Sequence, residues 1–194
     1  MQISNDDMNI LFKEARTHRV FENREIPDSL LAEIYDTLKM APTSANCQPG
    51  RFIFIKSPDA KKRLLSHVPK SNVKKIESAA VTVIIAGDTC FYENMPRLYP
   101  HIDLLSYYKE NPESVNKEMY QSTCLQAAYL ILAARALGLD CGPMNGFDNA
   151  GVDKEFFPDG KFKSNLLCNL GYGDKTKLHP RDDRLQFNEA CLIL

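Results

Sequence analysis

The sequence predicts a single α+β domain over residues 1–194. Two observations carry that reading. Helical apolar periodicity fills several long segments, whereas only a few short, β-branched apolar runs read as strands. No repeat, linker or low-complexity stretch divides the chain, so helices and strands belong to one core. At 194 residues such a core needs no metal or disulfide staple. With 44% apolar and 25% charged residues, the composition excludes a disordered or collagenous chain. Lysine and arginine total 24 against 25 acidic residues, a net charge of −1. No overall basic balance therefore argues for nucleic acid or a membrane surface, and a cationic site must be a local arginine cluster.

The first helix is expected over 6–15, where Met8, Leu11, Phe12 and Ala15 recur at helical spacing behind a Ser4/Asp7 capping box. A second runs over 28–39 with Leu30, Leu31, Ile34 and Leu38 inward, and Pro42 stops its continuation. Residues 42–50 form a loop of turn formers, followed by a strand at 51–55. Ser57-Pro58 opens a helix through Leu64 and Leu65, with proline in its first turn. The run 79–86 reads as a strand covered on both faces. Residues 88–116 hold Phe91, Tyr92, Tyr99, Tyr107 and Tyr108 among prolines and charges. They suit either a helical lid over a ligand or a peripheral helical pair whose aromatics fill surface grooves. The longest helix spans roughly 117–137 and ends at Gly138. Its apolar core is too short for a bilayer, which takes about 20 residues. A short helix capped by Asp148, a strand at 164–170 and a polar tail with an amphipathic piece near 187–192 complete the chain.

Cysteines stand at 47, 90, 124, 141, 168 and 191, without a C-x-x-C pair or zinc-ligand spacing. Cys124 and Cys168 lie in apolar runs and are expected in the core. The N-terminus has no signal-peptide pattern, so reduced thiols in a cytoplasmic protein are expected. Rossmann and Walker glycine patterns, the G-x-S-x-G elbow and H-E-x-x-H are all absent. An enzyme of this sequence would borrow its reactive centre from a cofactor.

Three segments are polar beyond what their positions require. Arg16-Thr17-His18-Arg19 offers two guanidinium forks suited to a phosphate dianion, or is a solvated helix end. Pro42, Thr43, Ser44, Asn46 and Gln48 supply hydroxyls and amides able to read a heterocycle edge, or make an ordinary helix-to-strand loop. Gly142-Pro143-Met144-Asn145-Gly146 would let backbone approach a flat ligand, and Asp140 with Pro143 argues against a helix there.

Jointly these segments resemble the nitroreductase family of FMN-dependent oxidoreductases. The family pattern R-[ST]-x-R-x-F is matched by Arg16, Thr17, Arg19 and Phe21, its A-P-[ST]-x-x-N-x-Q-P loop by 41–49, and its G-L-x-x-x-P-x-x-G-F segment by 138–147. The resemblance implies a sandwich with a central, mostly antiparallel sheet flanked by helices, built as an intertwined homodimer with FMN shared between subunits. It implies phosphate binding by Arg16, Thr17, His18 and Arg19 with Arg181 and Arg184 from the tail, and a contribution of Pro42, Thr43, Ser44, Asn46 and Gln48 from the other subunit. Asn72 and Lys75 match a family Asn-x-x-Lys pair beside the flavin, and Pro143, Met144, Asn145 and Gly146 supply backbone near N5. Gly50, where the family commonly has tryptophan, and Asn145, where an acidic residue is frequent, depart from the pattern.

The resemblance further implies ping-pong hydride transfer from NADH or NADPH to a small acceptor, with the chemistry on flavin N5 and no catalytic side chain of the protein. A bound water or a lid tyrosine would give the proton. Segments 42–47, 142–148 and 163–174 look most like the branch reducing malonic semialdehyde (3-oxopropanoate), for whose carboxylate the lid offers Arg97, His101 or Lys109. A broad nitroaromatic or quinone reductase and a non-enzymatic flavin-binding protein are the alternatives. No metal, nucleic acid or membrane partner is expected.

Overall fold

The computed structural model describes residues 2–194 and is built around an antiparallel sheet of order β1-β2-β4-β3. Its strands are β1 (Gly50–Ile55), β2 (Val81–Asp88), β3 (Asp140–Met144) and β4 (Phe162–Gly171). All eight positions of β2 are buried, as its unbroken apolar run requires of a central strand. Alternate residues serve two cores. Val81, Val83 and Ile85 pack towards α2 (Asp28–Leu38) and α7 (Pro112–Ala136). Ile84 and Ala86 face α3 (Pro58–Leu65), α4 (Lys70–Ser78) and α8 (Asn149–Phe156). Helices on both faces make the expected sandwich.

Several expectations need correction. The first helix is only Asn5–Met8 (α1), capped by the Ser4/Asp7 box, and widens into a π-type turn over Asn9–Lys13. Of the apolar stripe, Met8, Leu11 and Ala15 are half-buried and Phe12 is 49% exposed. The α4 helix and β3 strand lie in segments that periodicity passes over. Lys70–Ser78 carries only Val73 and Ile76 as apolar anchors, and Asp140–Met144 contains glycine and proline. Pairing with β4 overrides the weak strand propensity of β3, and an edge position tolerates Pro143. The α7 helix starts five residues early, at Pro112 in its first turn. It ends where Gly138 takes a left-handed φ of +81°.

The segment between β2 and α7 folds into short turns, including α5 (Met95–Leu98) and α6 (Leu104–Glu110), over a satellite core. Phe91 and Tyr108 meet edge to face at 5.0 Å, with Met95, Val115 and Cys47 around them. All six cysteines are unbridged, and Cys124 is exposed instead of buried, because its helix face points outward. A last turn, α9 (Phe187–Ala190), sits in an exposed tail. Among the described residues no helix is long and apolar enough to cross a membrane.

Candidate functional site

The arginine segment lies along the free edge of the sheet. His18 N–H donates to the Cys141 carbonyl at 2.9 Å, and Thr17 bridges Cys141 in parallel register. Gly142 permits this approach, since a Cβ there would stand 2.5 Å from the His18 carbonyl oxygen. The C-terminal segment folds over the same place, enclosing a cavity of about 150 Å³ lined by Arg16, Thr17, Arg19, Lys177, His179, Arg181 and Arg184. Asp174 and Asp182 are its two carboxylates against five permanent cations.

Backbone holds the guanidinium groups in place. Arg16 donates to the His179 carbonyl at 2.5 Å, and Arg181 to the carbonyls of Lys13 and Ala15 at 2.8 and 2.9 Å. Arg184 donates to the Asp182 and Asp183 carbonyls at 2.9 and 3.0 Å. Among the described residues none of the four cavity arginines has a carboxylate within ion-pair distance. Their charge stays available to a phosphate-like dianion.

His18 behaves differently from its neighbours. Its ring is buried against Gly173, with Nε2 3.3 Å from Asp140 Oδ1 and Nδ1 without a partner. Burial lowers its pKa, and Arg16 and Lys175 act in the same direction against Asp140 and Asp174. The imidazole packs into the wall of the cavity, where burial disfavours its charged form.

Two residues beyond the end of β3 the chain reaches Gly146. Here Asn72 Nδ2 donates to the Gly146 carbonyl at 2.8 Å, and Lys75 Nζ donates to Asn72 Oδ1 at 2.8 Å. The arginine cavity, the exposed Asn145–Gly146 backbone and the Asn72/Lys75 pair therefore lie along one sheet edge, tied together by β3. Pro143 and Met144 are strand residues of that edge.

The loop of Pro42, Thr43, Ser44, Asn46 and Gln48 stands apart. Ala45, Asn46 and Gln48 all have positive φ, at 43°, 54° and 41°. Three non-glycine residues in that region within four positions are a costly arrangement, typical of ligand-binding loops. Thr43 Oγ1 accepts from Gln48 N–H, Ser122 Oγ from Ser44 N–H, and the Leu98 carbonyl from Asn46 Nδ2. Among the described residues no hydrogen bond joins this loop to the arginine cavity or to Asn72. Arg97 shares a cavity with Gln48, one that Tyr35, Phe52 and Leu98 also line. His101 instead packs edge to face on Tyr99 at 5.5 Å. Burial first of all pushes the Tyr108 phenol up to about 12, which makes it a poor proton donor.

Sequence reasoning missed Asp140, Lys177 and the buried pair Thr82/Asn169 behind Asn72. Only the third dimension brings Asp140 to His18. A cation two residues before His179, in the same polar tail as Arg181 and Arg184, was the one signal available for Lys177.

Fold and site together give an α+β protein whose edge strand β3 lies beside an arginine-lined cavity and leads to the Asn72–Gly146 hydrogen bond. The chain belongs to the nitroreductase family, whose model it matches over residues 12–172. A Ralstonia nicotianae protein named "Putative NADH dehydrogenase/NAD(P)H nitroreductase" is 50% identical over 184 residues, covering 95% of this chain and 94% of its own. A Stutzerimonas stutzeri protein of the same name is 45% identical over 191 residues, covering 98% and 97%. A solved structure from Exiguobacterium sibiricum, described as a "putative nitroreductase in complex with FMN", superposes with a TM-score of 0.89. It is 21% identical, covering 100% of this chain and 99% of its own, so the likeness is one of fold.

Proposed function

We propose that the protein is an FMN-dependent NAD(P)H oxidoreductase, working in the cytoplasm as a homodimer that reduces a small 3-oxo acid of the malonic semialdehyde type. The observation that carries this reading is the cradle of Arg16, Arg19, Arg181 and Arg184, in which backbone carbonyls hold Arg16, Arg181 and Arg184 and the His179 ring holds Arg19, with no carboxylate partner among the described residues. Its donor set suits the FMN phosphate. The Asn72/Lys75 pair and the Asn145–Gly146 backbone suit the polar edge of the ring. When bound, FMN supplies the redox chemistry, hydride transfer from NADH or NADPH to the acceptor in two ping-pong half-reactions. Lys75 would favour negative charge on the neighbouring edge of the ring.

The separate loop of Pro42, Thr43, Ser44, Asn46 and Gln48 supports a site completed by a second copy. Exposed apolar side chains support one too: Tyr120 and Leu125 on α7, and Leu185, Phe187, Leu192 and Ile193 in the tail. Residues 88–116 then act as a lid, with Arg97 as carboxylate partner because it pairs with no acid and shares the Gln48 cavity.

The purified protein should be yellow, and anaerobic NAD(P)H should bleach it. Colourless protein that takes up no added FMN overturns the reading, and bound FMN that stays oxidised makes the protein a flavin carrier. A heterodimer with Arg16→Ala in one chain and Asn46→Ala in the other should keep one intact site, whereas two equally weakened sites would place the loop in cis. The names of the relatives favour a second reading, a broad nitroaromatic or quinone reductase. Should kcat/KM for malonic semialdehyde be no better than for propanal while menadione is far faster, this second reading replaces the first.

A further inference from the structure

Two polar residues lie where the sheet offers only apolar surroundings. Thr82 in β2 and Asn169 in β4 are direct cross-strand partners, and both are fully buried. A hydroxyl and an amide in that position are costly unless each is bonded. Thr82 Oγ1 donates to Asn169 Oδ1 at 2.7 Å, and Asn169 Nδ2 donates to the Lys75 carbonyl at 3.0 Å. That carbonyl fixes the amide orientation, because a flipped Asn169 would set its oxygen against another acceptor.

Helix α4 explains why a donor is needed there. It ends at Ser78, and Ala79 leaves in extended conformation. The last carbonyls of a helix have no intrahelical partner. Asn169 closes one of them from the sheet, assisted by the Ser78 hydroxyl at 3.2 Å. One turn back, Asn72 receives Lys75 Nζ and clamps the Gly146 carbonyl. A single line of hydrogen bonds and helix turn thus runs from the middle of the sheet to both parts of the site that face the ring.

We propose that Asn169, oriented by Thr82, is a positioning residue of the redox site: it anchors the end of α4 and so fixes where the Lys75 ammonium stands. The inference rests on the FMN reading above. An apolar pair at 82 and 169 would leave no unbonded side chain in the core, but it would take from the Lys75 carbonyl the amide donor that holds the end of α4. The polar pair adds placement, and its effect should appear in how strongly the site favours reduced over oxidised FMN.

The experiment is an anaerobic measurement of the midpoint potential of bound FMN against a reference dye. The Thr82→Val/Asn169→Leu double variant leaves no side chain of the pair unbonded and leaves the Lys75 carbonyl with the Ser78 hydroxyl alone. It should bind FMN with its preference for the reduced form about tenfold weaker, a potential lower by about 30 mV. Lys75→Met should lower the potential at least as far, and adding the double substitution to it should change nothing more. Thr82→Ser, which keeps the hydroxyl, should hold the wild-type potential while Thr82→Val does not, a contrast independent of whether the double variant folds. A wild-type potential in the double variant or in Thr82→Val, with Lys75→Met shifted, overturns the positioning role and leaves the FMN reading standing. A potential indifferent to Lys75→Met, or a wild-type protein without FMN, overturns the reading of Lys75 and the inference with it.

Discussion

The two ends of the proposed site are built by opposite means. At the arginine cradle, long cationic side chains near the two chain termini are steadied by backbone carbonyls and, for Arg19, by the His179 ring. At the Asn72–Gly146 clamp, a neutral amide is buried and backed by a second amide in the sheet. The first kind of contact supplies affinity but yields to salt, because exposed charges are screened within about 8–10 Å at ordinary ionic strength. The second supplies position, and its bonds are sheltered from ions. Anchoring the charged end loosely and the reactive end tightly places rigidity where hydride transfer needs it.

The largest effect should come from the cradle. Arg16→Ala with Arg184→Ala removes two charge-assisted contacts of roughly 1.5–3 kcal/mol each, about a hundredfold to ten-thousandfold in FMN affinity. Fluorescence titration at low and high salt should find the wild-type affinity falling with salt and the double variant much less sensitive. Equal salt dependence in both would break the contrast between the two ends.

A smaller effect is expected at the clamp. Asn72→Leu leaves the Gly146 carbonyl without its donor and Lys75 without its acceptor, at a cost of about 1–3 kcal/mol in urea denaturation. Its FMN affinity should fall while the salt slope stays that of the wild type. Gly142→Ala tests the joint between the ends. Overpacking of this kind costs typically 1–3 kcal/mol, and its Cβ would press on the His18 carbonyl. A lowered Tm together with losses at both ends is expected. A normal Tm would mean that β3 does not couple them.

The same contrast explains what could be read from the sequence. The cradle and the 42–48 loop are local clusters of unusual polarity, visible before any fold is known. The tail arginines joined them only through the family resemblance, since 165 residues separate Arg16 from Arg181 in the chain. The buried relay was not legible. Thr82 and Asn169 are single polar residues inside strand-like runs, and their partnership depends on the β2–β4 register. Edge strand β3 was hidden for a related reason, because its glycine and proline serve close approach and an edge position instead of strand propensity. Residues that touch a ligand are marked by composition, whereas residues that hold those in place are marked only by geometry.

The smallest expected effect concerns His18, in the wall of the arginine cavity. In the unfolded chain its imidazole takes a proton near its ordinary value of 6.5. In the fold, burial above all, then Arg16 and Lys175, keep it neutral to lower pH, outweighing Asp140 and Asp174. Below pH 6.5 the unfolded state therefore binds more protons than the folded one, and stability must fall as pH falls. The loss begins as pH drops through 6.5 and levels off once the folded imidazole is protonated as well. Asp103, Glu155 and Asp174, whose carboxyls hydrogen bonds hold below their ordinary range, contribute their own losses only at more acid pH. Urea denaturation from pH 8 to 5 should trace the first step, and His18→Asn should flatten it. With FMN bound, a histidine serving as a further phosphate cation would be stabilised in its charged form, so that the stability of the complex would rise in the same window. The sign of the slope thus separates a wall residue from a ligand.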